Sequence, residues 1–416
     1  MNVFWFRRDL RLEDNVALYK ATLENEPVIP LFIFDTEIIA SLPKDDARIS
    51  FIYSTLKAID IEIKKLDSSL FVKIGKPIDF WKNLTTEYNI DNVFFNKDYE
   101  PYAIARDLEL THYLNSKNID VFAYKDQVIF EESEIVKDDG LPYTVFTPYK
   151  NKWLSKFNES LISTYNPTFN FYRCNLDFPT LDAIGFTESS IKVKPYNLSN
   201  LNKYDAIRDF PSLDQTSYVS PYLRFGLLSS RNMIKTALKS NATYLSELIW
   251  REFFMQILFH FPKVVTENFK SKYNQIEWRN NEQEFQKWCK GETGYPIVDA
   301  GMRQLNKTGY MHNRVRMITA GFLCKHLLID WRWGEAYFAE KLLDYDLFAN
   351  NGNWQWAAGT GCDAAPYFRI FNPVEQIKKF DKDLLYINTW VKDLNELTYP
   401  KPIVKHKFVR ERELTH

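Results

Sequence analysis

The first third of the chain alternates short apolar runs with stretches of helical periodicity. Runs at residues 3–6, 28–34, 70–74, 93–95 and 121–124 are typical of buried strands. Residues 47–66 and 103–114 instead place apolar side chains at i, i+3 and i+4, which predicts helices between the strands. This alternation predicts a Rossmann-like parallel α/β domain. The turn after the first strand, RRDLR at residues 7–11, lacks the GxGxxG pattern, which argues against the usual dinucleotide site.

The pattern changes at two places further along the chain. From residue 126 to 203 it fades into Pro, Asn, Ser and Lys, which is typical of a long connector. From residue 204 the strand pattern is absent, and helical periodicity covers 244–261, 281–290, 297–305, 313–328 and 334–343. The predicted fold class is therefore α/β plus all-α, with an α/β domain at 1–125, a connector at 126–203 and a helical domain at 204–416.

Composition narrows the classes of function. Lys and Arg total 53 against 54 Asp and Glu, so any nucleic-acid site must be a local basic patch. No apolar run reaches the ~18 residues of a membrane span, and the start, MNVFWFRRDL, carries charge where a secretory signal has its apolar core. The 4 cysteines form no CxxC pair and the 6 histidines no HxxxH cluster. We therefore expect a cytoplasmic protein without membrane spans, disulfides or a metal site.

Three features carry candidate chemistry before any relative is considered. The chain has 11 Trp, of which eight lie between Trp250 and Trp390, more indole than packing alone usually requires. Glu247, Trp250 and Arg251 share one face of a predicted helix, either as the wall of a pocket or as a solvated ion pair beside a core tryptophan.

A third feature is a predicted helix start. Ser220 and Pro221 are suited to the N-cap and first helical positions, and Thr216 and Ser217 precede them. A helix start with these hydroxyls could bind a pyrophosphate, although ordinary capping is the simpler explanation.

Long blocks of sequence, in order, resemble the photolyase/cryptochrome family over essentially the whole chain. They are WFRRDLRLEDN at the start, TSYVSPYLRFG at 216–226, ELIWREFF at 247–254, TGYPIVDAGMRQL at 293–305, MHNRVRM at 311–317 and NNGNWQWAAGTGCDAAPYFRIFNP at 350–373. The sequence is most similar to the class I photolyases, which split cyclobutane pyrimidine dimers. The resemblance implies an α/β antenna domain, a connector and a helical FAD-binding domain, in agreement with the periodicity.

The resemblance also implies contacts to FAD. Residues around the phosphates and adenosine would be Tyr204, Thr216, Ser217 and Ser220, with Arg251 and Asn313 helping to hold the cofactor; Arg316 would pair with Asp344 beside the flavin, and Asp346 would bind the ring edge. Asn350 would face the flavin N5, where a neutral amide can donate or accept. Plant-type cryptochromes have Asp at that position, so Asn350 favours a repair enzyme over a light receptor.

Two further sets follow from the resemblance. The electron relay would consist of Trp278, Trp331 and Trp354, because indole is among the side chains most easily oxidised by one electron. The lesion pocket would be lined by Glu247, Trp250, Asn313, Arg314, Met317 and Trp356, two indoles and a thioether forming a flat apolar slot. Trp354 and Trp356 point to different sides of a helix, so one can serve the relay while the other faces the substrate.

The pocket favours one lesion. Relatives that repair the (6-4) photoproduct have two histidines at the positions of Asn313 and Met317, because that chemistry needs a proton donor. Neither Asn nor Met can be that acid, whereas a cyclobutane ring opens when an electron is lent and returned. His312 is adjacent but points about 100° away from Asn313 on a helix, so we expect it to have a core or surface role.

DNA and antenna contacts are implied by the same resemblance. Arg314, Arg369 and Lys150, together with Lys152, would contact DNA phosphates, although solvated surface charge is an equally simple explanation for the two lysines. Folate-using relatives have a Cys-Lys pair where this chain has Val265 and Thr266. Glu100 resembles an acidic antenna contact. Folate, deazaflavin, another flavin and an empty antenna site all remain open.

The hypothesis is a monomeric, light-driven enzyme that uses reduced FAD to split cyclobutane pyrimidine dimers in double- or single-stranded DNA damaged by ultraviolet light. The alternative is a cryptochrome-like blue-light receptor without repair activity. A flavin oxidoreductase that works in the dark would need a nicotinamide site, which the sequence does not display.

Overall fold

Five parallel strands form one sheet in the N-terminal part of the chain. The computed structural model describes residues 1–364, 370–407 and 409. The strands are β1 (Asn2–Phe6), β2 (Val28–Asp35), β3 (Phe71–Gly75), β4 (Asn92–Asn96) and β5 (Asp120–Tyr124), in the spatial order β3-β2-β1-β4-β5. All five predicted strands are confirmed, as is the parallel arrangement.

The sheet is covered on both faces, which explains why its strands are apolar without strict alternation. β1 is buried along its whole length. Phe4 and Phe6 belong to one hydrophobic cluster with Phe32, whereas Val3 and Trp5 belong to another. Because successive side chains of a strand point to opposite faces, each strand contributes to two cores.

Helices connect the strands and then make up most of the remaining chain. Those between the strands are α1 (Val16–Ala21), α2 (Thr36–Ile39), α3 (Ala47–Lys64), α4 (Pro77–Glu87) and α5 (Pro101–Asn115). The later ones are α6 (Phe146–Lys156), α7 (Tyr204–Ile207), α8 (Ser220–Arg224), α9 (Ser230–Ser240), α10 (Ala242–His260), α11 (Glu282–Lys290), α12 (Pro296–Thr308), α13 (Asn313–Gly321), α14 (Trp331–Lys341), α15 (Leu347–Ala358), α16 (Pro373–Phe380) and α17 (Leu385–Trp390). The predicted all-α character of this half is confirmed.

One predicted helix is shorter than its periodicity suggested. The pattern at 313–328 predicts a continuous helix, but α13 ends at Gly321 and a π-helical segment, Phe322–His326, follows. The backbone N–H of Leu327 bonds to the carbonyl of Phe322, five residues back, at 3.2 Å. Such a widened turn keeps the apolar side chains buried while the backbone departs from the α-helix, so periodicity alone does not reveal it.

The chain separates into two compact units that are discontinuous in sequence. One contains Met1–Glu134, Ser155–Lys194 and Val219–Lys239, and the other contains Ile135–Leu154, Pro195–Tyr218 and Ser240–His416. Much of the segment predicted as a connector therefore groups with the sheet. The domain boundaries at residues 125 and 203 stay a prediction.

Buried ion pairs hold α9 within the first unit. Arg231 of α9 contacts Asp14 at 3.0 Å and Asp126 at 2.8 Å, and all three side chains are almost completely buried. Arg11 also pairs with Asp126, at 2.6 Å. Buried charges are tolerated when they are paired in this way.

None of the helices in the described residues combines the length and apolar character needed to cross a bilayer.

Candidate functional site

Two ion pairs connect the segment after α7 with α10 and with α13. Arg208 contacts Glu247 of α10 at 2.6 Å, and Arg314 contacts Asp209 at 2.6 Å. The Asn313 side-chain amide donates to the backbone oxygen of Arg208 at 2.9 Å. Arg208 therefore joins two residues predicted to bind the lesion, Glu247 and Asn313.

The surroundings of these pairs are aromatic. The Arg208 guanidinium lies 5.2 Å from the ring centre of Tyr204, and that ring packs edge-on against Tyr244. Burial, with the nearby charge of Glu247, raises the pKa of the Tyr204 hydroxyl. Arg314 lies 4.5 Å from the ring centre of Phe380 and 3.6 Å from the Met317 sulfur. Arg314 and Met317, predicted to line one pocket, are in direct contact.

Trp250 is more enclosed than the predicted slot requires. Phe146, the first residue of α6, stacks on its indole with ring centres 3.6 Å apart and planes 9° apart. Phe253 and Phe254 pack around the same indole at 5.4 and 5.3 Å. A base cannot stack on the face of Trp250 that Phe146 covers, and the flat apolar slot for the dimer stays a prediction.

The predicted flavin-tuning residues lie close to α15. Arg316 contacts Asp344 at 2.9 Å, the ion pair that the resemblance implies. Asp346 is buried at the position preceding α15. The Asn350 amide donates to the Glu335 carboxylate at 2.8 Å and to its backbone oxygen at 3.1 Å. Burial raises the pKa of Glu335, and the hydrogen bond from Asn350 opposes that shift.

The predicted relay tryptophans differ in exposure. Trp354 and Trp331 are buried, and Trp278 is partly buried at the edge of the same cluster. The indole N–H of Trp331 donates to Asn268 at 2.8 Å. Trp354 packs against Phe338 at 4.9 Å and Trp288 at 6.1 Å. Trp356 is only partly buried, whereas Trp354, two residues earlier in the same helix, is buried.

The predicted phosphate-binding segment is a loop followed by a short helix. Ser217 contacts the Tyr244 hydroxyl at 3.2 Å, and its backbone oxygen accepts from Asn197 at 2.8 Å. Within the described part of the chain, the backbone N–H groups of Thr216 and Ser217 donate to no acceptor. Two amides are thus available for an anion.

The predicted cap of α8 is wrong by one residue. Ser220 is the first residue of α8, and Val219 occupies the N-cap position without a side-chain hydrogen bond. Val219 has helical backbone angles, so the helical turn begins before Ser220, the N-cap that the Ser-Pro sequence suggested. Arg251, in α10, lies 5.6 Å from the ring centre of Phe348 in α15.

The two lysines predicted to contact DNA phosphates each lie beside a neighbouring side chain. Lys150 lies 5.9 Å from the ring centre of Phe146. Lys152 forms an ion pair with Asp138 at 3.1 Å. Arg369 lies outside the described residues.

The predicted antenna contact is part of an ion cluster. Glu100 contacts Arg8 at 2.9 Å and Arg224 at 3.7 Å, and Arg8 also contacts Asp98 at 3.2 Å. The nearby crevice, which Arg8 and Asp98 help to line, has a volume of about 10 Å³. That is room for about one water molecule. A planar chromophore would not fit in this crevice as it stands.

His312 has a structural role. It is the N-cap of α13, and its Nδ1 accepts from the backbone N–H of Arg314 at 3.2 Å. Burial lowers the pKa of His312 to about 4. The expectation of a core or surface role is confirmed, and His preceding Asn-Arg at a helix start was the available signal.

Sequence reasoning missed three side chains that support the site. They are Phe146, Arg208 and Glu335. Each is distant in sequence from the residue it holds, so no local pattern connects the partners. In the described residues, no group of three or more His, Cys, Asp or Glu side chains is arranged to hold a metal ion.

These residues fit a flavin dinucleotide. Thr216 and Ser217 offer amides for phosphate oxygens. The Asn350 amide oxygen accepts no hydrogen bond within the described chain, so it can accept one from a ligand. The arrangement of a parallel α/β sheet and a helical half with this donor set is that of a flavoprotein of the photolyase/cryptochrome class.

Comparison with known proteins agrees with that class. Residues 2–167 match the domain described as DNA photolyase, and residues 244–398 match the FAD binding domain of DNA photolyase. The deoxyribodipyrimidine photo-lyase of Vibrio cholerae is 36% identical, covering 100% of this chain and 98% of the relative. The Escherichia coli protein of the same name is 35% identical, covering 99% and 97%. The chain belongs to the DNA photolyase family.

Solved structures show the same fold. A class III photolyase from Agrobacterium tumefaciens has a TM-score of 0.90 at 33% identity, covering 100% of this chain and 96% of its own. A Sulfolobus tokodaii photolyase with two FAD molecules has a TM-score of 0.88 at 35% identity, covering 100% and 99%. A Synechocystis cryptochrome, 23% identical with a TM-score of 0.85 and coverage of 100% and 98%, shares the fold.

Proposed function

We propose that this protein is a light-driven DNA repair enzyme, a deoxyribodipyrimidine photolyase that splits cyclobutane pyrimidine dimers with FAD as its cofactor. The observation that carries the proposal is that one helix holds three of the predicted functional residues. α15 bears Asn350, the buried Trp354 and the half-buried Trp356. A flavin contact, an electron donor and a substrate contact can therefore be held by a single rigid element. The family match and the curated relatives support this assignment.

The chain's residues bind and orient the cofactor. Reduced FAD, when bound and excited by blue light, supplies the electron that opens the cyclobutane ring and takes it back afterwards. Thr216 and Ser217 hold phosphate oxygens through their free backbone amides. The pair of Arg316 and Asp344 holds the polar edge of the flavin. Asn350, with its nitrogen held by Glu335, presents its oxygen as an acceptor.

Other predicted contacts complete the cofactor site. Tyr204 lies on the adenosine side, and Ser220 follows the phosphate-binding amides by a few residues. Arg251 and Asn313 help to hold the cofactor, and Asp346 binds the ring edge. Glu100 remains the proposed contact for a second, antenna chromophore. The Sulfolobus tokodaii relative with two FAD molecules makes another flavin one candidate for that role.

The lesion pocket suits a cyclobutane dimer. Glu247, oriented by Arg208, can accept from a pyrimidine N3–H. His312 uses Nδ1 to cap α13 and is neutral near pH 7, because burial lowers its pKa to about 4. His312 is therefore not available as the acid beside Asn313 for the hydroxyl transfer that a (6-4) photoproduct needs.

The proposed partner is ultraviolet-damaged DNA, double- or single-stranded, bound by a monomer in the cytoplasm. Arg314 and Met317 would line the opening, with Arg369, Lys150 and Lys152 contacting phosphates. Moving the lesion out of the duplex costs a few kcal/mol of unstacking free energy. Photolyases are themselves among the known examples of enzymes that flip a base out of the duplex. Each aromatic contact in the pocket can return about 1–3 kcal/mol.

The three relay tryptophans have a separate task. Trp354 would donate an electron towards the flavin, and Trp331 and then Trp278 would replace it from the surface. The increase in exposure from Trp331 to Trp278 agrees with that direction. The relay restores the reduced cofactor and is not needed during repair.

The proposal is tested by blue-light turnover of an oligonucleotide with one cyclobutane thymine dimer by chemically reduced protein. A dark sample and a (6-4) substrate are run in parallel. We expect thymines to be restored only in the light and only from the cyclobutane substrate. Absence of repair by protein with fully bound, reduced FAD would contradict the proposal and favour a photoreceptor without repair activity.

A further inference from the structure

Trp250 is enclosed by aromatic rings on more than one side. Phe146 stacks on its indole at 3.6 Å, and Phe254, one helical turn further along α10, packs at 5.3 Å with planes 30° apart. A Cβ on Gly352 of α15 would overlap the Phe254 ring, so α15 lies directly against that ring. Phe146, Trp250 and Phe254 therefore form a continuous aromatic cluster that reaches α15.

Phe146 is itself held by the chain around it. Its side chain is buried, and its ring also contacts Phe253 at 5.7 Å. Further along the same helix, the Trp153 indole N–H donates to Glu252 of α10 at 2.7 Å, and both side chains are buried. α6 is thus fixed to α10 at two points, by the Phe146–Trp250 stack and by the buried hydrogen bond from Trp153 to Glu252.

Phe146 also connects the two sides of the proposed pocket. Its backbone N–H donates to the Asp363 carboxylate at 2.9 Å. Asp363 lies in the loop that follows α15, the helix that carries Trp356. One residue therefore contacts the Trp250 indole through its side chain and the segment after Trp356 through its backbone.

We propose that Phe146 is a positioning residue for lesion recognition, which fixes the Trp250 indole so that its uncovered edge, rather than a stacked face, meets the pyrimidine dimer. This inference rests on the proposed function. Preorganisation of this kind lowers the entropy that is lost when the lesion binds. The dimer then stacks on Trp356 and meets Trp250 from the side.

The test compares Phe146→Leu, which keeps apolar bulk, with Phe146→Tyr, which keeps the ring. Phe322→Leu is the matched control, because Phe322 is equally buried but stacks on His326 instead. Binding of dimer-containing and undamaged oligonucleotides is measured in the dark, with FAD content. Protein labelled with 5-fluorotryptophan reports the Trp250 ring by ¹⁹F NMR, assigned with Trp250→Phe.

We expect Phe146→Leu to weaken dimer binding about three- to tenfold, the range of one aromatic pair, and to shift or broaden the Trp250 signal. FAD content and binding of undamaged DNA should not change, and Phe146→Tyr should behave as the wild type. Wild-type dimer affinity and Trp250 signal in Phe146→Leu would overturn the inference, as would tighter dimer binding, which would mean that Phe146 obstructs the pocket. A wild-type protein that does not distinguish dimer from undamaged DNA would instead contradict the proposed function.

Discussion

Trp354 lies directly over Gly334. A Cβ on this glycine would overlap the six-membered ring of the indole and approach Leu323. Gly334 is one turn after Trp331 in α14, so the two residues share a helix face. The missing side chain therefore lets Trp354 approach the helix that carries the next proposed relay residue.

Gly334→Ala should slow light-driven reduction of oxidised FAD several-fold. The new methyl group displaces Trp354, and overpacking of this kind costs about 1–3 kcal/mol of stability. Repair by protein reduced chemically beforehand should be nearly unchanged, since the relay is not used in that step. Gly321→Ala is the control, because among the described residues its Cβ would meet only Phe371, at an ordinary 3.5 Å. Equal photoreduction in both variants would contradict the assigned role of Trp354.

Asn350→Asp should make stability depend more steeply on pH. The new carboxylate would lie beside that of Glu335, now 2.8 Å from the amide nitrogen, and the two would share a proton. A folded-state pKa raised above the unfolded value gives stability that is present at low pH and lost as pH rises. A further rise of the folded-state pKa would therefore lower the free energy of unfolding at neutral pH. Thermal melting from pH 5 to 8, with Asn350→Ser as the neutral control, measures this.

His312 should contribute to acid sensitivity. Its pKa is about 4 in the folded protein against an ordinary 6.5, because burial disfavours the charged ring. The unfolded chain therefore binds a proton first, and stability is lost as pH falls from 6.5 to 4, by up to about 3 kcal/mol. His312→Asn keeps a capping acceptor without titrating and should melt at a more constant temperature over this range. The control is His112→Asn at an exposed histidine, whose melting temperature should vary with pH as in the wild type. If both variants behave alike, His312 is not the cause of the acid sensitivity.

Trp356→Ala should weaken dimer binding without releasing FAD. Loss of one base-stacking indole is worth about 1–3 kcal/mol, or roughly 5- to 150-fold in affinity. Trp333→Ala, at another partly buried indole of the same helical half, is the control. Fluorescence anisotropy with dimer-containing DNA and flavin absorbance after gel filtration measure the two quantities. Release of flavin from the Trp356 variant would show that this indole is a core residue.

The strands and most helices could be predicted because the apolar pattern of each one lies within its own stretch of sequence. β1 is an uninterrupted apolar run, and α10 follows the predicted 244–261 within two residues at each end. The π-helical turn at Phe322–His326 could not be predicted, because a widened turn still buries Phe322 and Leu323. Periodicity reports burial, not the backbone hydrogen bonds that achieve it.

The site could be predicted in its residue types but not in its pairings. Resemblance pointed to Arg316 beside Asp344, and that pair is present. It pointed to Trp250 as part of the lesion pocket, and it could not show that Phe146 covers one face of that indole. The two residues are separated by a long stretch of chain, so only the folded structure could show that the stacking position is taken.

The buried pairing of Arg231 with Asp14 and Asp126 sets an order of events during synthesis of the protein. Arg231 follows Asp126 by 105 residues, which at about 5–20 residues per second corresponds to about 5–20 s of translation. Throughout that interval Asp14 has been translated and its guanidinium partner has not. Until α9 is translated, Arg11 is the guanidinium already present to pair with Asp126, and the ion pair of Asp14 with Arg231 forms only afterwards.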